Sequence, residues 1–198
     1  VAQVNYTTDN GGSGSNAGDG DGHGTHVSGI IAAGNTHMGM APGADIAALK
    51  VLDNTGSGTF EAIASALDWV IANRVTHNIT VVNMSLGDGG NYLNFATDTV
   101  FTRINTLRAL GVAVCVAAGN DFYTWGSAQG MAYPAVFGST VSVGAVYDAD
   151  IGGVAYGSGA VANTTVEPSR SEMTSSGPSV GTPASVAVLR LQVPPVQL

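Results

Sequence analysis

Charge is scarce in this 198-residue chain: Asp, Glu, Lys and Arg together make up 10 % of it, against about 25 % in an average soluble domain. Bases are scarcest, with 6 Lys and Arg against 14 Asp and Glu and a formal net charge of −8. Nucleic acid is therefore excluded as the expected partner, because holding phosphates needs clustered Lys and Arg. So little charge beside 44 % hydrophobic residues also excludes a disordered chain and a coiled coil. A single cysteine, Cys115, leaves no internal disulfide and does not decide the redox compartment. The longest apolar run, Val112–Ala118, falls far short of the ~18–20 residues that span a bilayer, so no membrane partner is expected. No feature predicts an oligomer. An initiator Met and a secretory leader are also lacking, and the expectation is that the chain begins inside a longer product.

What the sequence has in quantity is glycine. Its 28 glycines follow no three-residue period, which excludes collagen. They are unevenly spread, with 26 in residues 1–160 and 2 in the final 38. The chain divides accordingly into an irregular lead-in (1–17), a core (18–150) and a divergent tail (151–198) to which no structure is assigned. Within the core, Gly24–Ala33 is small and apolar, as a buried helix would be. Asp45–Leu52 is a run of strand length. Phe60–Arg74 sets Phe60, Ile63, Leu67, Val70 and Ile71 at helical spacing, with Thr59 as N-cap. Thr80–Leu86 reads as a strand and Asn91–Leu110 as a helix closed by Gly111. Val112–Ala118 and Thr140–Val146 read as two further strands. Strands alternating with helices of this length predict an α/β fold, a mostly parallel sheet between helical layers.

Three short segments carry chemistry. In Gly22-His23-Gly24-Thr25-His26, the first histidine stands at a predicted helix start, where the positive end of the macrodipole disfavours an imidazolium. A general base must be neutral at working pH. In Ala118-Gly119-Asn120, an amide side chain lies beyond the carboxyl end of a strand, where ligands gather in open α/β sheets and where it could donate to an oxyanion. From the residues alone, an asparagine after glycine is more usually a turn-former. In Asn83-Met84-Ser85-Leu86-Gly87, a strand runs into an open glycine-rich stretch that could pair with an extended peptide, or could be a plain strand-to-helix loop.

Taken in order, these segments resemble the subtilisin-like serine peptidases. The resemblance covers residues 18–147. It rests on His23-Gly24-Thr25-His26-Val27-Ser28-Gly29, Ala41-Pro42-Gly43-Ala44 with Leu49-Lys50-Val51-Leu52, and Gly56-Ser57-Gly58. It continues through Asn83–Gly87, Ala118-Gly119-Asn120 and Tyr133-Pro134-Ala135 with Val141–Ala145. The resemblance implies a three-layer α/β sandwich, here truncated, and acyl transfer to a serine. An aspartate orients the histidine, the histidine deprotonates the serine, and the serine attacks a peptide carbonyl. His23 would be the general base and Asn120 the oxyanion donor. Ser85, Leu86 and Gly87 would face Gly56, Ser57 and Gly58 across an extended peptide, with Phe60 walling an upstream subsite. The implied partner is a polypeptide substrate and the implied location the extracellular space or cell envelope.

The chain departs from the family pattern at two places. The family's aspartate ends a strand about thirty residues before the histidine, yet only 22 residues precede His23. Asp9, Asp19 and Asp21 lie in glycine-rich sequence too close to it, and none is assigned to the triad. The family's Gly-Thr-Ser is replaced by Gly181-Thr182-Pro183-Ala184-Ser185, so the nucleophile is left unassigned, with Ser185 as the fallback and a chance Gly-Thr as the alternative. A tail read outside the ancestral frame would account for both the composition break and the missing motif. No cofactor or metal is expected. Thr36–Gly39 is shorter than the family's calcium loop, Asp19 and Asp21 read as a solvated loop before a calcium site, and His23 with His26 lacks a third zinc ligand. Three readings remain: an incomplete serine endopeptidase domain, a non-catalytic peptide-binding module on the same fold, or an inactive structural fragment of it.

Overall fold

Short runs rich in Val, Ala and Leu form the strands, and the segments of 3.6-residue period form the helices between them. The computed structural model describes residues 2–12, 14–122, 124–144, 153–155, 161–163 and 186–190. In chain order the elements are β1 (Gln3–Asn5), α1 (His23–Ala32), β2 (Asp45–Lys50), α2 (Phe60–Asn73), β3 (Val81–Met84) and α3 (Thr99–Ala109). They are followed by β4 (Ala113–Ala117), β5 (Val141–Val143), β6 (Gly153–Ala155), β7 (Val161–Asn163) and β8 (Val186–Arg190). The main sheet runs β1-β2-β8-β3-β4-β5, and β6 and β7 form a separate antiparallel pair. β1 is parallel to β2, and β3, β4 and β5 are mutually parallel. β8 alone runs the other way, antiparallel to both β2 and β3. This is the expected α/β architecture with a mostly parallel sheet.

The core lies between this sheet and helices α2 and α3, which pack on each other. Leu49, Val82, Met84, Val114 and Val116 from the strands meet Ile63, Leu67, Val70, Val100, Ile104 and Leu107 from the helices, all of them buried. Helix α1 rests on β2 and β8 instead. Helix α2 starts where its cap predicts: Thr59 is extended, and its hydroxyl accepts the Ala62 N–H at 3.1 Å.

Three expectations need amendment. The helix expected from Asn91 begins only at Thr99. Tyr92 exchanges two backbone hydrogen bonds with Met131, which holds the chain extended there, and Asp98 then caps α3 by accepting the Phe101 N–H at 2.8 Å. The lead-in read as irregular supplies β1, whose last residue, Asn5, is fully buried. Asn5 donates to the Asp9 and Gly12 carbonyls and accepts from the Thr7 N–H and hydroxyl, so one side chain folds the loop that follows it. The tail, which offered no place in the sheet, supplies its central strand β8.

Candidate functional site

Strands β2, β3 and β4 point the same way, so the segments leaving their carboxyl ends share one edge of the sheet. Leu52 to Phe60 leave β2, Ser85 to Gly87 leave β3, and Ala118 to Asn120 leave β4. That edge is the favoured ligand position in an open α/β sheet.

A cavity of about 290 Å³ opens between the first two segments. Gly56, Ser57, Gly58 and Phe60 line one side, and Leu86 and Gly87 the other; Tyr133 and Pro134 close it. Its shape depends on small residues. Gly56 has φ +83°, which favours glycine. A side chain at Gly58 would strike Leu52 Cδ2 and the Val51 carbonyl, and one at Gly87 would press on Ala132 Cβ at 3.0 Å. The loop is held by Asp53, whose Oδ1 accepts from Thr55 N–H, Thr55 hydroxyl and Ser57 N–H. Phe60, 47 % exposed, meets the Tyr133 ring edge-on at 4.7 Å. Tyr133 is fully buried, and its hydroxyl donates to Asp98 Oδ2 at 2.6 Å. Burial first, and then that hydrogen bond and the nearby Asp98 and Asp88 charges, push its phenol well above the ordinary tyrosine range. Ser85 lies beside this cavity rather than in its wall, accepting from Asn83 Nδ2 at 3.0 Å.

His23 opens α1, with Gly22 before it at φ +102° and no side chain of Gly22 to cap the helix. Asp19 fills that role. Its Oδ2 accepts from the Thr25 N–H at 2.7 Å and the Thr25 hydroxyl at 2.8 Å, and its Oδ1 from the Gly22 and Asp21 N–H groups. Burial opposes ionisation of Asp19, but the bonds from Gly22, Thr25 and Asp21 outweigh it and hold the carboxyl at about 2. This is why Asp19, close as it is in sequence, does not orient the imidazole. Asp21 is spent on the backbone too, accepting the His23 N–H at 3.2 Å. The imidazole Nδ1 is buried and has no hydrogen-bond partner among the described residues. Burial lowers the His23 pKa against the pull of Asp21 and Asp19, so the ring is neutral at pH 7, as a base must be. The loop before His23 is tied to the cavity's loop, since the Gly20 N–H donates to Asn54 Oδ1 at 3.1 Å.

Asn120 is exposed at the end of the β4 segment. Gly119 before it takes φ +109°, and a Cβ there would sit 2.9 Å from Ala132 Cβ, so glycine is needed to turn Asn120 out. Ser185, the fallback nucleophile, lies outside the described residues. Tyr133, Pro134, Leu52 and Ile63 line the cavity without having been assigned to it from sequence. The Tyr-Pro pair was the one signal available, since it stood among the segments that carried the resemblance.

An α/β sheet with a histidine-headed helix and a two-sided groove at its carboxyl edge has its groove where ligands gather in open α/β sheets. Comparison with known proteins makes this specific. The model of the Subtilase family matches residues 2–190, and the chain belongs to that family. It is 44 % identical over 131 residues to Subtilisin E of Bacillus subtilis (strain 168), a match covering 65 % of this chain and 32 % of that protein. It is 42 % identical over 135 residues to Subtilisin of Bacillus pumilus, covering 67 % and 46 %. Among solved structures, Sphericase superposes with a TM-score of 0.62 at 28 % identity, over 83 % of this chain and 51 % of that one. The chain thus spans about a third to a half of the relatives it matches.

Proposed function

We propose that this chain is the substrate-binding and base-bearing part of a serine endopeptidase site that hydrolyses peptide bonds by Ser-His-Asp acyl transfer. The observation that carries the reading is the two-walled cavity at the carboxyl edge, between Gly56–Phe60 and Leu86–Gly87. An extended peptide would lie between Gly56–Gly58 and Ser85–Gly87, pairing its main chain with theirs. His23 would take the proton from the attacking hydroxyl, and the Asn120 amide would donate to the oxyanion. The matched family supports the reaction type. Peptidase action implies a polypeptide substrate, and similarity to the Minor extracellular protease Epr of Bacillus subtilis (strain 168) supports an extracellular location.

The same chain favours a second reading in isolation. His23 Nδ1 has no acceptor among the described residues, and no Gly-Thr-Ser occurs in the sequence. On that reading the groove would bind peptides without cutting them. Loss of a triad serine or histidine costs a factor of about 10⁶ in turnover in such enzymes. The test is to treat the chain with a fluorophosphonate and, in parallel, to titrate it with a dye-labelled neutral peptide. Peptide affinity without labelling is expected. Labelling at Ser185 would restore the tail serine as nucleophile, and absence of any peptide affinity would refute the groove.

A further inference from the structure

The side chain of Asn54 joins the groove's loop to the loop that leads into His23. Asn54 directly follows Asp53, whose bonds to Thr55 and Ser57 hold the groove-lining turn. Its backbone N–H donates to Asp9 Oδ2 at 2.6 Å. Its side-chain Oδ1 accepts twice, from Lys50 Nζ at 2.9 Å and from the Gly20 N–H at 3.1 Å, as the two lone pairs of an amide oxygen allow. Lys50 is the stronger donor. It is 5 % exposed, and lysine is almost never so buried unless its charge is paired; Asp9 Oδ2 lies 3.5 Å from the ammonium. A charge-assisted bond from a nearly buried donor fixes the amide of Asn54, although Asn54 itself is exposed.

Gly20 is fitted to that amide. It does not take a positive φ, yet a Cβ on it would strike Cγ, Nδ2 and Oδ1 of Asn54, the three atoms nearest to it. On either side of Gly20, Asp19 and Asp21 accept N–H groups at the head of α1: Gly22 and Thr25 for Asp19, His23 for Asp21. We propose that Asn54 is a positioning residue that couples the groove to His23. Its oxygen, held by Lys50 and Asp9, sets the spacing between the turn that lines the groove and the loop that carries the imidazole, so a peptide seated against Gly56–Gly58 is registered with the ring. The proposal rests on the reading of the groove as the peptide site and of His23 as the base.

The test is NMR of the full chain, reading the Gly58 amide and the His23 imidazole, with an acetylated neutral tetrapeptide amide as probe. Asn54→Ala is expected to leave the peptide-induced shift at Gly58 in place, because Asp53 still holds the turn, and to cut the accompanying His23 response about twofold or more. Without peptide, the same variant should raise the His23 pKa, since burial holds it below 6.5 in the parent and a loosened approach loop hydrates the ring. Gly20→Ala, which pushes the amide away, should reproduce both effects in the parent and add nothing in the Asn54→Ala background. Asn54→Asp, which keeps an acceptor oxygen in place, should restore the His23 response. A role in stability alone would lower Tm and leave the His23 response and pKa at the parent's values, which overturns the proposal. Additive effects of Gly20→Ala and Asn54→Ala overturn it as well. No Gly58 response in the parent refutes the groove instead, and the peptide-free His23 titrations of the same variants then decide the coupling.

Discussion

Removing one oxygen from Tyr133 separates the support of the cavity from its shape. Tyr133→Phe keeps the ring, and with it the contacts to Phe60 at 4.7 Å and Phe95 at 4.7 Å, so no cavity is created. What goes is the 2.6 Å hydrogen bond to Asp98 Oδ2. Asp98 keeps its bond to the Phe101 N–H at the start of α3, but its other oxygen loses its phenol donor in a partly buried position. A hydrogen bond to a charged group contributes about 1.5–3 kcal/mol, and that is the expected loss in urea unfolding. In a domain of this size it lowers Tm by about 3–12 °C. Asp98→Asn should cost part of the same energy, and the double variant less than the sum, because both act on one bond. Peptide affinity should change little, since the phenyl face toward the groove is unchanged. Tyr133→Phe within about 0.5 kcal/mol of the parent, the range of an ordinary surface change, would refute the assignment of that bond as the support under the groove.

Other perturbations act on the site itself. Gly58→Val forces a side chain into Leu52 and the Val51 carbonyl, so peptide binding should fall at least tenfold in a titration while circular dichroism stays close to the parent's. Asp19→Ala removes the cap of α1 and should cost about 0.5–2 kcal/mol. In the parent, Asp19 is held at about 2 from an ordinary 3.8, so its contribution is present above pH 3.8 and is lost as pH falls toward 2; acid unfolding curves of parent and variant should converge there. The His23 pKa lies below 6.5 because of burial. The unfolded ring therefore takes up a proton before the folded one does, and stability contributed by neutral His23 declines as pH falls from 6.5 through the folded value. An imidazole NMR titration giving a value above 6.5 would contradict the burial described for it.

How much of this could be read from residues follows the range of the interactions involved. α2 was placed at both ends because its cap and its stripe lie within one segment: Thr59 before it, and Ile63, Leu67 and Val70 inside it. The edge carrying Gly56–Phe60, Ser85–Gly87 and Asn120 was legible because each segment follows its own strand. What failed was set by partners far away. Nothing near Asn91 announces that Tyr92 will pair with Met131, so the helix was begun eight residues early. Gln3–Asn5 is too short to show a period and is a strand only because β2 lies beside it. β8 pairs with residues more than a hundred positions away, and its direction cannot be read from Val186–Arg190. Tyr133 shows the same limit at the site, since its place in the cavity depends on Phe60 and Asp98 in two other segments.

On the proposed function, one groove at the carboxyl edge of the sheet holds an extended peptide between two strand-ending segments, and His23 and Asn120 act on it. Amide-resolved NMR of the full chain, titrated with an acetylated neutral tetrapeptide amide, measures it most directly. Saturable shifts are expected at Gly56, Ser57, Gly58, Ser85 and Gly87, with the His23 ring and Asn120 side-chain amide responding at the same peptide concentration. Shifts confined to other surfaces, or none at millimolar peptide, would contradict it.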